Sequence, residues 1–260
     1  MPKRVFAVAA HPDDVEFLMA GTLILLKDAG CEAHYMNVAN GSCGTSTRSA
    51  EEIVRVRRDE ARSAAASIGA VYHEALVGDI EIFYDKPLLA KVAAVVREVA
   101  PDILLTHSPG DYMEDHQNAA RLAATAAFVR GMRNFPTDPP REAVGGEVTV
   151  YHAQPHGNCD PLGRAVRPGL FVDIRGVLGR KREMLARHES QKAWLDETQG
   201  LDSYLAAMEA IARTVGEMSG RFEYAEGWRR RSHLGLCAED ADPLSELLGE
   251  LVARDRQAGG

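Results

Sequence analysis

Hydrophobic and polar positions alternate along the chain in blocks that predict strands followed by helices. Apolar, β-rich blocks predict strands at 4–10, 32–39, 71–76, 103–107 and 147–153. Helical periodicity predicts helices at 16–29, 50–68, 87–100 and 115–130. Strands that alternate with helices in this way are typical of a parallel sheet with right-handed crossovers.

The pattern changes after residue 160. A short strand is predicted at 170–174, helices at 176–192 and 202–219, an edge strand around 222–228 and a closing helix at 243–254. No linker is long enough to separate two domains, so we expect residues 1–260 to form one domain. Its fold class is α/β, a Rossmann-like three-layer sandwich around a parallel sheet (1–160), with an α+β extension (161–260) packed on it. No GxGxxG follows the first strand, so the sequence gives no dinucleotide-binding signal.

Composition narrows the functional classes. The 260 residues are 45% hydrophobic, which is enough for a large core, and the net charge of −8 argues against non-specific nucleic-acid binding. No apolar run is long enough to span a bilayer. The four cysteines show no C-x-x-C spacing, which fits a reducing compartment. We therefore expect a cytoplasmic protein that does not bind nucleic acid and has no membrane span.

Polar side chains gather where the predicted strands end. The first strand runs into "AHPDDVE", the fourth into "HSPGDYMEDH" and the fifth into "HAQPHGN". The carboxyl ends of parallel strands share one edge of a sheet, and ligands bind in the crevice beyond that edge. Six of the nine histidines belong at or near this edge: His11, His73, His107, His116, His152 and His156. This gathering predicts a functional site.

Histidine and carboxylate side chains in one crevice indicate a metal such as zinc. His11 and Asp14 stand three residues apart across a tight turn, so both can face one ion. His116, at the start of the helix after the fourth strand, is the natural third ligand. A catalytic zinc needs about three protein ligands and an open position for water. Asp13 would then be free to accept a proton.

A structural alternative exists for the same stretch. Asp13 with Glu16 fits a capping-box-like helix start, where the helix dipole stabilises an acid. Asp115 is similarly a possible cap of the helix at 115–130. Capping does not account for His11 or Pro12, and the histidines in the other loops favour the metal interpretation.

The string "AHPDDVE" followed by "GTL", with "YMEDHQNAA" far downstream, resembles the PIG-L/LmbE superfamily of zinc-dependent N-deacetylases. The resemblance covers residues 4–130 and continues more weakly in "VTVYHAQ". It implies Zn²⁺ ligated by His11, Asp14 and His116, with Asp13 as the general base. It also implies an N-acetylated amino sugar or its conjugate as the small-molecule substrate, and a homo-oligomer as a possible state.

The resemblance extends to two substrate-binding positions. Arg57 or Arg58, in "VRVRRDEA", lies where the family places a substrate-facing basic residue, and we assign Arg58. Asp79, in "LVGDIEI", resembles a position that hydrogen-bonds a sugar hydroxyl. The alternatives are an exposed helix face for the arginines and a turn for Asp79.

One departure from the family pattern concerns the acid or oxyanion-stabilising histidine. Met113 occupies its place in "MEDH", and a methionine side chain cannot donate a hydrogen bond. We assign this catalytic contact to His156, with His152 and His107 as alternatives, unless the acid role rests on Asp13 alone.

The predicted activity is zinc-dependent hydrolysis of an N-acyl amide, most simply N-acetyl, on an amino sugar or its conjugate. The products are acetate and a free amine. Two alternatives stay open: an amidase of a thiol-sugar conjugate, and a non-catalytic metal-binding Rossmann-like module. Met113 adds a degenerate family member as a third. The segment at 188–208 is expected to cover the crevice mouth or to form an oligomer face.

Overall fold

The computed structural model of the chain describes residues 1–199 and 203–255. Within them, eight strands form one sheet in the order β3-β2-β1-β4-β5-β7-β6-β8. The strands are β1 (Arg4–Ala9), β2 (Glu32–Asn37), β3 (Val71–His73), β4 (Ile103–Thr106), β5 (Thr149–Ala153), β6 (Leu170–Asp173), β7 (Ala225–Arg230) and β8 (Val252–Arg254). The first five are parallel, as the alternating pattern predicts. The last three pair antiparallel, so the sheet is mixed.

Helices cover both faces of the sheet. They are α1 (Asp14–Leu18), α2 (Ala20–Asp28), α3 (Ala50–Ser67), α4 (Lys86–Val99), α5 (Glu114–Val129), α6 (Leu178–Ala186), α7 (Glu189–Gln199), α8 (Ser203–Ser219) and α9 (Pro243–Leu248). Alternate residues of β1 enter two different cores: Val5 and Ala7 belong to the core that includes α2 and α8, whereas Phe6 and Val8 belong to the core that includes α4 and α5. Because successive strand side chains point to opposite faces, this confirms the three-layer sandwich.

The structure corrects several predicted boundaries. The helix predicted at 16–29 is two helices that meet at Met19, and the second begins where the Glu226 carboxylate accepts two backbone N–H groups. The helix predicted at 176–192 breaks at Arg187 and His188. There His188 turns inward and is fully buried, with Nε2 3.3 Å from Glu16 Oε1. For the helix predicted at 202–219, residue 202 lies outside the described residues.

The C-terminal part differs most from expectation. The segment expected to supply an edge strand forms β7, which lies inside the sheet between β5 and β6. The predicted closing helix stops at Leu248, and 252–254 form the edge strand β8. A strand's position in a sheet depends on its partners, which periodicity cannot report. No helix in the described part of the chain is long and apolar enough to cross a membrane.

Candidate metal centre and active site

The turn after β1 places the acidic motif at the carboxyl edge of the sheet. Asp13 adopts a left-handed conformation with φ 111°, which is costly for a residue with a Cβ. The turn closes on itself, because the His11 backbone N–H donates to Asp14 Oδ2 at 2.7 Å. Asp13 stands at the N-cap of α1, but its side chain makes no capping hydrogen bond. The capping alternative for this residue is therefore wrong.

The structure brings together the three residues expected to bind metal. His11, Asp14 and His116 each offer a ligand atom, and these atoms lie within 4.8 Å of one another. His11 Nδ1 is 3.4 Å from Asp14 Oδ2, and His116 Nε2 is 3.5 Å from Asp14 Oδ1. We call these residues the candidate triad. Two imidazoles and a carboxylate are a donor set that zinc accepts.

Two further carboxylates fix the orientation of the imidazoles. His11 Nε2 lies 2.9 Å from Asp115 Oδ2, and His116 Nδ1 lies 2.9 Å from Asp111 Oδ1. Each imidazole donates the N–H of one ring nitrogen to its carboxylate. The lone pair of its other ring nitrogen then faces the triad. Such carboxylate–histidine pairs are typical around protein-bound metals. The arrangement therefore fits a metal at the candidate triad.

The structure gives Asp115 a different role from the predicted cap. Helix α5 begins at Glu114, and Met113 is its N-cap. Asp115 instead accepts hydrogen bonds from His11 and, at 2.7 Å, from the Ile80 backbone N–H. Sequence reasoning missed both supporting carboxylates, although each lies within five residues of His116.

Electrostatics at the triad also favour a cation. Burial alone would lower the pKa of His11, but hydrogen bonds to Asp115 and Asp14 outweigh it and raise the pKa to about 10. Burial opposes ionisation of Asp14 as well, yet the neighbouring His116 and His107 hold its pKa well below the usual range. The site therefore holds a carboxylate that attracts positive charge, either protons or a metal ion.

A second possible metal group shares one residue with the triad. His107, Asp111 and His116 also have ligand atoms within 4.8 Å of one another, but all three are buried. His107 Nε2 already accepts the Ala10 backbone N–H at 2.9 Å. Only His116 of this group lines the adjoining cavity, whereas all three members of the candidate triad do. A metal that meets substrate therefore belongs at the triad.

Asp13 lies beside the triad and is held from two sides. The Tyr204 hydroxyl donates to Asp13 Oδ2 at 2.7 Å, and Arg57 Nη2 is 3.3 Å from Asp13 Oδ1. Burial raises the pKa of Asp13, although Arg57 and the Tyr204 hydroxyl oppose the shift. A raised carboxyl pKa suits a group that must accept and then return a proton. Tyr204 comes from α8 in the extension, and no sequence motif marked it.

The structure does not bring Arg58 to the site. Arg58 is exposed and pairs with Glu74, with Nε 2.7 Å from Oε2. Arg57 is 3% exposed, lines the cavity and donates to the Pro12 carbonyl. One residue along a helix is a rotation of about 100°, which turns Arg58 away. Ile53, Arg57 and Ala61 follow one another at four-residue intervals on the buried face of α3. This spacing in the sequence was the signal that distinguishes Arg57 from Arg58.

Asp79 lies at the cavity, but its carboxylate is engaged by a loop. Its two oxygens accept backbone N–H groups from Gly41 at 2.7 Å and Cys43 at 2.9 Å. These hydrogen bonds hold the distant loop that forms one cavity wall, so the side chain serves that loop rather than its own turn. The contact of Asp79 with a sugar hydroxyl stays a prediction.

His156 and Met113 both line the cavity. The His156 ring packs against Phe17 at 5.2 Å and Tyr112 at 5.6 Å between ring centroids. His152, an alternative for the same role, is buried and directs Nδ1 to the His107 carbonyl at 2.8 Å. His156 is therefore the better placed of the two to meet substrate.

The cavity beside the triad has a volume of about 390 Å³. Helices α7 and α8 contribute part of its wall through Gln191, Trp194, Leu195, Tyr204 and Ala207. Described residues of the segment at 188–208 therefore line the cavity, whereas its role as a cover of the crevice mouth or as an oligomer face stays a prediction. A volume near 400 Å³ suits a small-molecule ligand.

Comparison with known proteins identifies the family. Residues 6–127 match the family model described as PIG-L, GlcNAc-PI de-N-acetylase. The chain is 31% identical over 235 residues to diacetylchitobiose deacetylase of Thermococcus kodakarensis, covering 87% of this chain and 82% of that protein. The chain belongs to the PIG-L family. Diacetylchitobiose deacetylase from Pyrococcus horikoshii shares the PIG-L fold with it, with a TM-score of 0.74 and 23% identity over 89% of this chain and 85% of that one.

One PIG-L relative has a different activity. The chain is 30% identical to 4-oxalmesaconate hydratase of Pseudomonas putida over 187 residues, 69% of this chain and 70% of that protein. The solved structure of the 4-carboxy-2-hydroxymuconate hydratase GalB from that organism aligns with a TM-score of 0.73 and 25% identity. That alignment covers 88% of this chain and 95% of GalB. Family membership alone therefore does not decide between hydrolysis of an N-acetyl amide and hydration of a double bond.

Proposed function

We propose that this protein is a zinc-dependent N-deacetylase that hydrolyses the N-acetyl amide of an amino sugar or amino-sugar conjugate. The observation that carries the proposal is the candidate triad, with Asp13 beside it, at the floor of a cavity of about 390 Å³. Relatives named as deacetylases of diacetylchitobiose and of a 2-acetamido-2-deoxyglucopyranoside support the substrate class.

The triad residues would hold the zinc through His11 Nδ1, His116 Nε2 and the Asp14 carboxylate. When bound, zinc activates water and polarises the acyl carbonyl. The chain supplies the proton transfers: Asp13 accepts a proton during attack on the acyl carbon and delivers it to the leaving amine. Arg57 and Tyr204 hold the Asp13 carboxylate in place for both steps.

Two residues that line the cavity can donate a hydrogen bond to the acyl oxygen. His156 and Tyr112 both line the cavity, whereas Met113 offers no donor. Partial desolvation and nearby carboxylates raise the pKa of the half-exposed Tyr112 to about 12, so its hydroxyl keeps its proton at neutral pH. We assign oxyanion stabilisation to these two side chains, and losing one such donor costs about 3 kcal/mol in other enzymes.

The charge of the cavity favours the deacetylase over the hydratase. A substrate such as 4-carboxy-2-hydroxymuconate carries several carboxylates, and planar carboxylates are usually bound by arginine pairs. Among the described lining residues Arg57 is the one arginine or lysine, and its Nη2 is already engaged by Asp13 and the Pro12 carbonyl, so it cannot form a two-pronged clamp and has no second cation beside it to bind several carboxylates. The wall also carries the carboxylate of Asp79. A neutral acetylated sugar therefore fits this cavity better.

Acetate release from a substrate panel tests the proposal. Zinc-loaded protein should release acetate from N-acetylglucosamine, N,N′-diacetylchitobiose or an amino-sugar conjugate, and should not hydrate 4-oxalmesaconate. Asp13→Ala should keep the metal and lose about 100-fold or more in turnover, while His11→Ala should lose the metal. Arg58→Ala is the matched control. Hydration without acetate release, or full activity in Asp13→Ala, would refute the proposal.

The same panel separates the remaining alternatives. Cleavage confined to thiol-sugar conjugates would indicate the amidase, and stoichiometric zinc without any turnover would indicate a non-catalytic module.

The four free cysteines support a cytoplasmic location. The possible homo-oligomer stays a prediction, which sedimentation analysis would test.

A further inference from the structure

Gln191 on α7 presents a polar atom that the fold leaves unsatisfied. The residue is 8% exposed and lines the cavity, and its Oε1 is buried with no hydrogen-bond partner among the described residues. Buried polar atoms are normally hydrogen-bonded, and an exception calls for an explanation. Because Gln191 also lines the cavity, a donor on a ligand bound at this corner would supply the missing partner.

Arg57 lies at the same corner of the cavity. A Cβ built on Gly44 would lie 2.4 Å from Arg57 Nη1 and 3.1 Å from Gln191 Oε1, so both atoms flank one glycine. Because a guanidinium offers only hydrogen-bond donors, the Gln191 side chain is expected to turn its amide oxygen, and not its NH₂ group, toward Arg57. An acceptor beside a donor is complementary to a hydroxyl group, which both donates and accepts. A carboxylate could satisfy only the arginine.

Trp194 provides an apolar surface next to this pair. It follows Gln191 by three residues, which places both on one face of α7, and it also lines the cavity. The flat indole ring offers a large apolar contact area with a polar edge. A pyranose ring has the matching character, because its C–H face is apolar and its rim carries hydroxyls.

We propose that α7 supplies the sugar-binding subsite, in which Trp194 packs on the ring face while Gln191 Oε1 and Arg57 Nη1 bind one ring hydroxyl. The inference rests on the proposed function and adds the residues that select a sugar ring over a ring-less amide. The extension, rather than the metal-binding motif, then decides which acetylated amine is hydrolysed.

A fluorescence titration tests the subsite without turnover. The chain has two tryptophans, and Trp228 is fully buried, so a ligand-induced change in emission reports on Trp194. Zinc-loaded protein carrying Asp13→Ala should show a saturable change with N-acetylglucosamine and none with N-acetylethanolamine. Adding Trp194→Phe should abolish it. An equal response to both probes, or no response to the sugar, would overturn the subsite.

Steady-state kinetics provide the second test. Gln191→Met keeps the side-chain length but loses the acceptor, so KM for acetylated sugars should rise about tenfold with kcat within twofold. Gln191→Glu keeps an acceptor oxygen and should restore most of the affinity. Ala193→Ser, on the exposed side of α7, is the matched control and should leave KM unchanged.

The outcomes separate the two proposals. Acetate release with an unchanged KM in Gln191→Met would overturn the subsite and leave the deacetylase standing. A sugar-specific fluorescence change without acetate release from any panel member would support the subsite and overturn the deacetylase.

Discussion

Removing the carboxylate behind His11 is the sharpest test of the candidate metal centre. Asp115 does not touch the ion position, yet its Oδ2 accepts both His11 Nε2–H at 2.9 Å and the Ile80 N–H at 2.7 Å. Asp115→Ala removes the group that keeps the His11 proton on Nε2 and the Nδ1 lone pair toward the triad. We expect weaker metal binding with the three ligands still present.

The magnitude follows from these two hydrogen bonds. Loss of a carboxylate that supports a metal-bound histidine lowers metal affinity about 10- to 100-fold, or about 1.4 to 2.7 kcal/mol. The Ile80 N–H also loses its acceptor, and because this hydrogen bond is only partly buried its loss costs about 0.5–1.5 kcal/mol more in the stability of the metal-free fold. Asp115→Asn keeps an acceptor oxygen but loses the charge, so its effects should fall between those of wild type and alanine.

Competition with a fluorescent zinc chelator measures the affinity, and urea denaturation of the metal-free protein measures the stability. The control is Glu114→Ala, which removes an exposed acid from the same helical turn. Zinc affinity of Asp115→Ala within twofold of wild type would refute the assignment of His11 as a ligand oriented by Asp115.

Three further predictions follow from other contacts. Glu226→Ala should lower the free energy of unfolding by about 3–5 kcal/mol, because it leaves the buried Lys181 without the carboxylate that lies 2.6 Å from its Nζ. A loss below about 1 kcal/mol in urea denaturation would contradict this prediction. Arg58→Ala should change the free energy of unfolding by less than about 1 kcal/mol and leave kcat unchanged, because its ion pair with Glu74 is exposed. Arg57→Ala should lower kcat, because Arg57 contacts Asp13. Equal effects of the two substitutions on kcat would contradict the placement of these arginines. The folded, metal-free protein keeps His11 protonated up to its pKa of about 10, above the value of about 6.5 in an unfolded chain. This stabilisation is therefore complete below about pH 6.5 and is lost as the pH rises through about 10. Zinc binding at pH 8 should release this proton, and calorimetry in buffers of different ionisation enthalpy would count it; binding without proton release would contradict the shift.

The sequence by itself determined the parallel half of the sheet and the members of the candidate triad. Strand and helix periodicities are local properties, and they place β1, β4 and β5 correctly. The rule that parallel strands end at one edge then brings His116 to His11 across about a hundred residues. The resemblance to the PIG-L family depended on the same local string.

The tertiary structure decided everything that depends on long-range contacts. Successive residues of a helix are rotated by about 100°, so Arg57 faces the cavity while Arg58 faces solvent. An error of one residue in the predicted helix boundaries is enough to exchange these two positions. Tyr204 and Gln191 reach the cavity from the extension, about 190 and 180 residues after the motif they serve, and no spacing rule connects them to it. The strand β7 lies inside the sheet because β5 and β6 both pair with it, and pairing partners are not written in a strand's own periodicity.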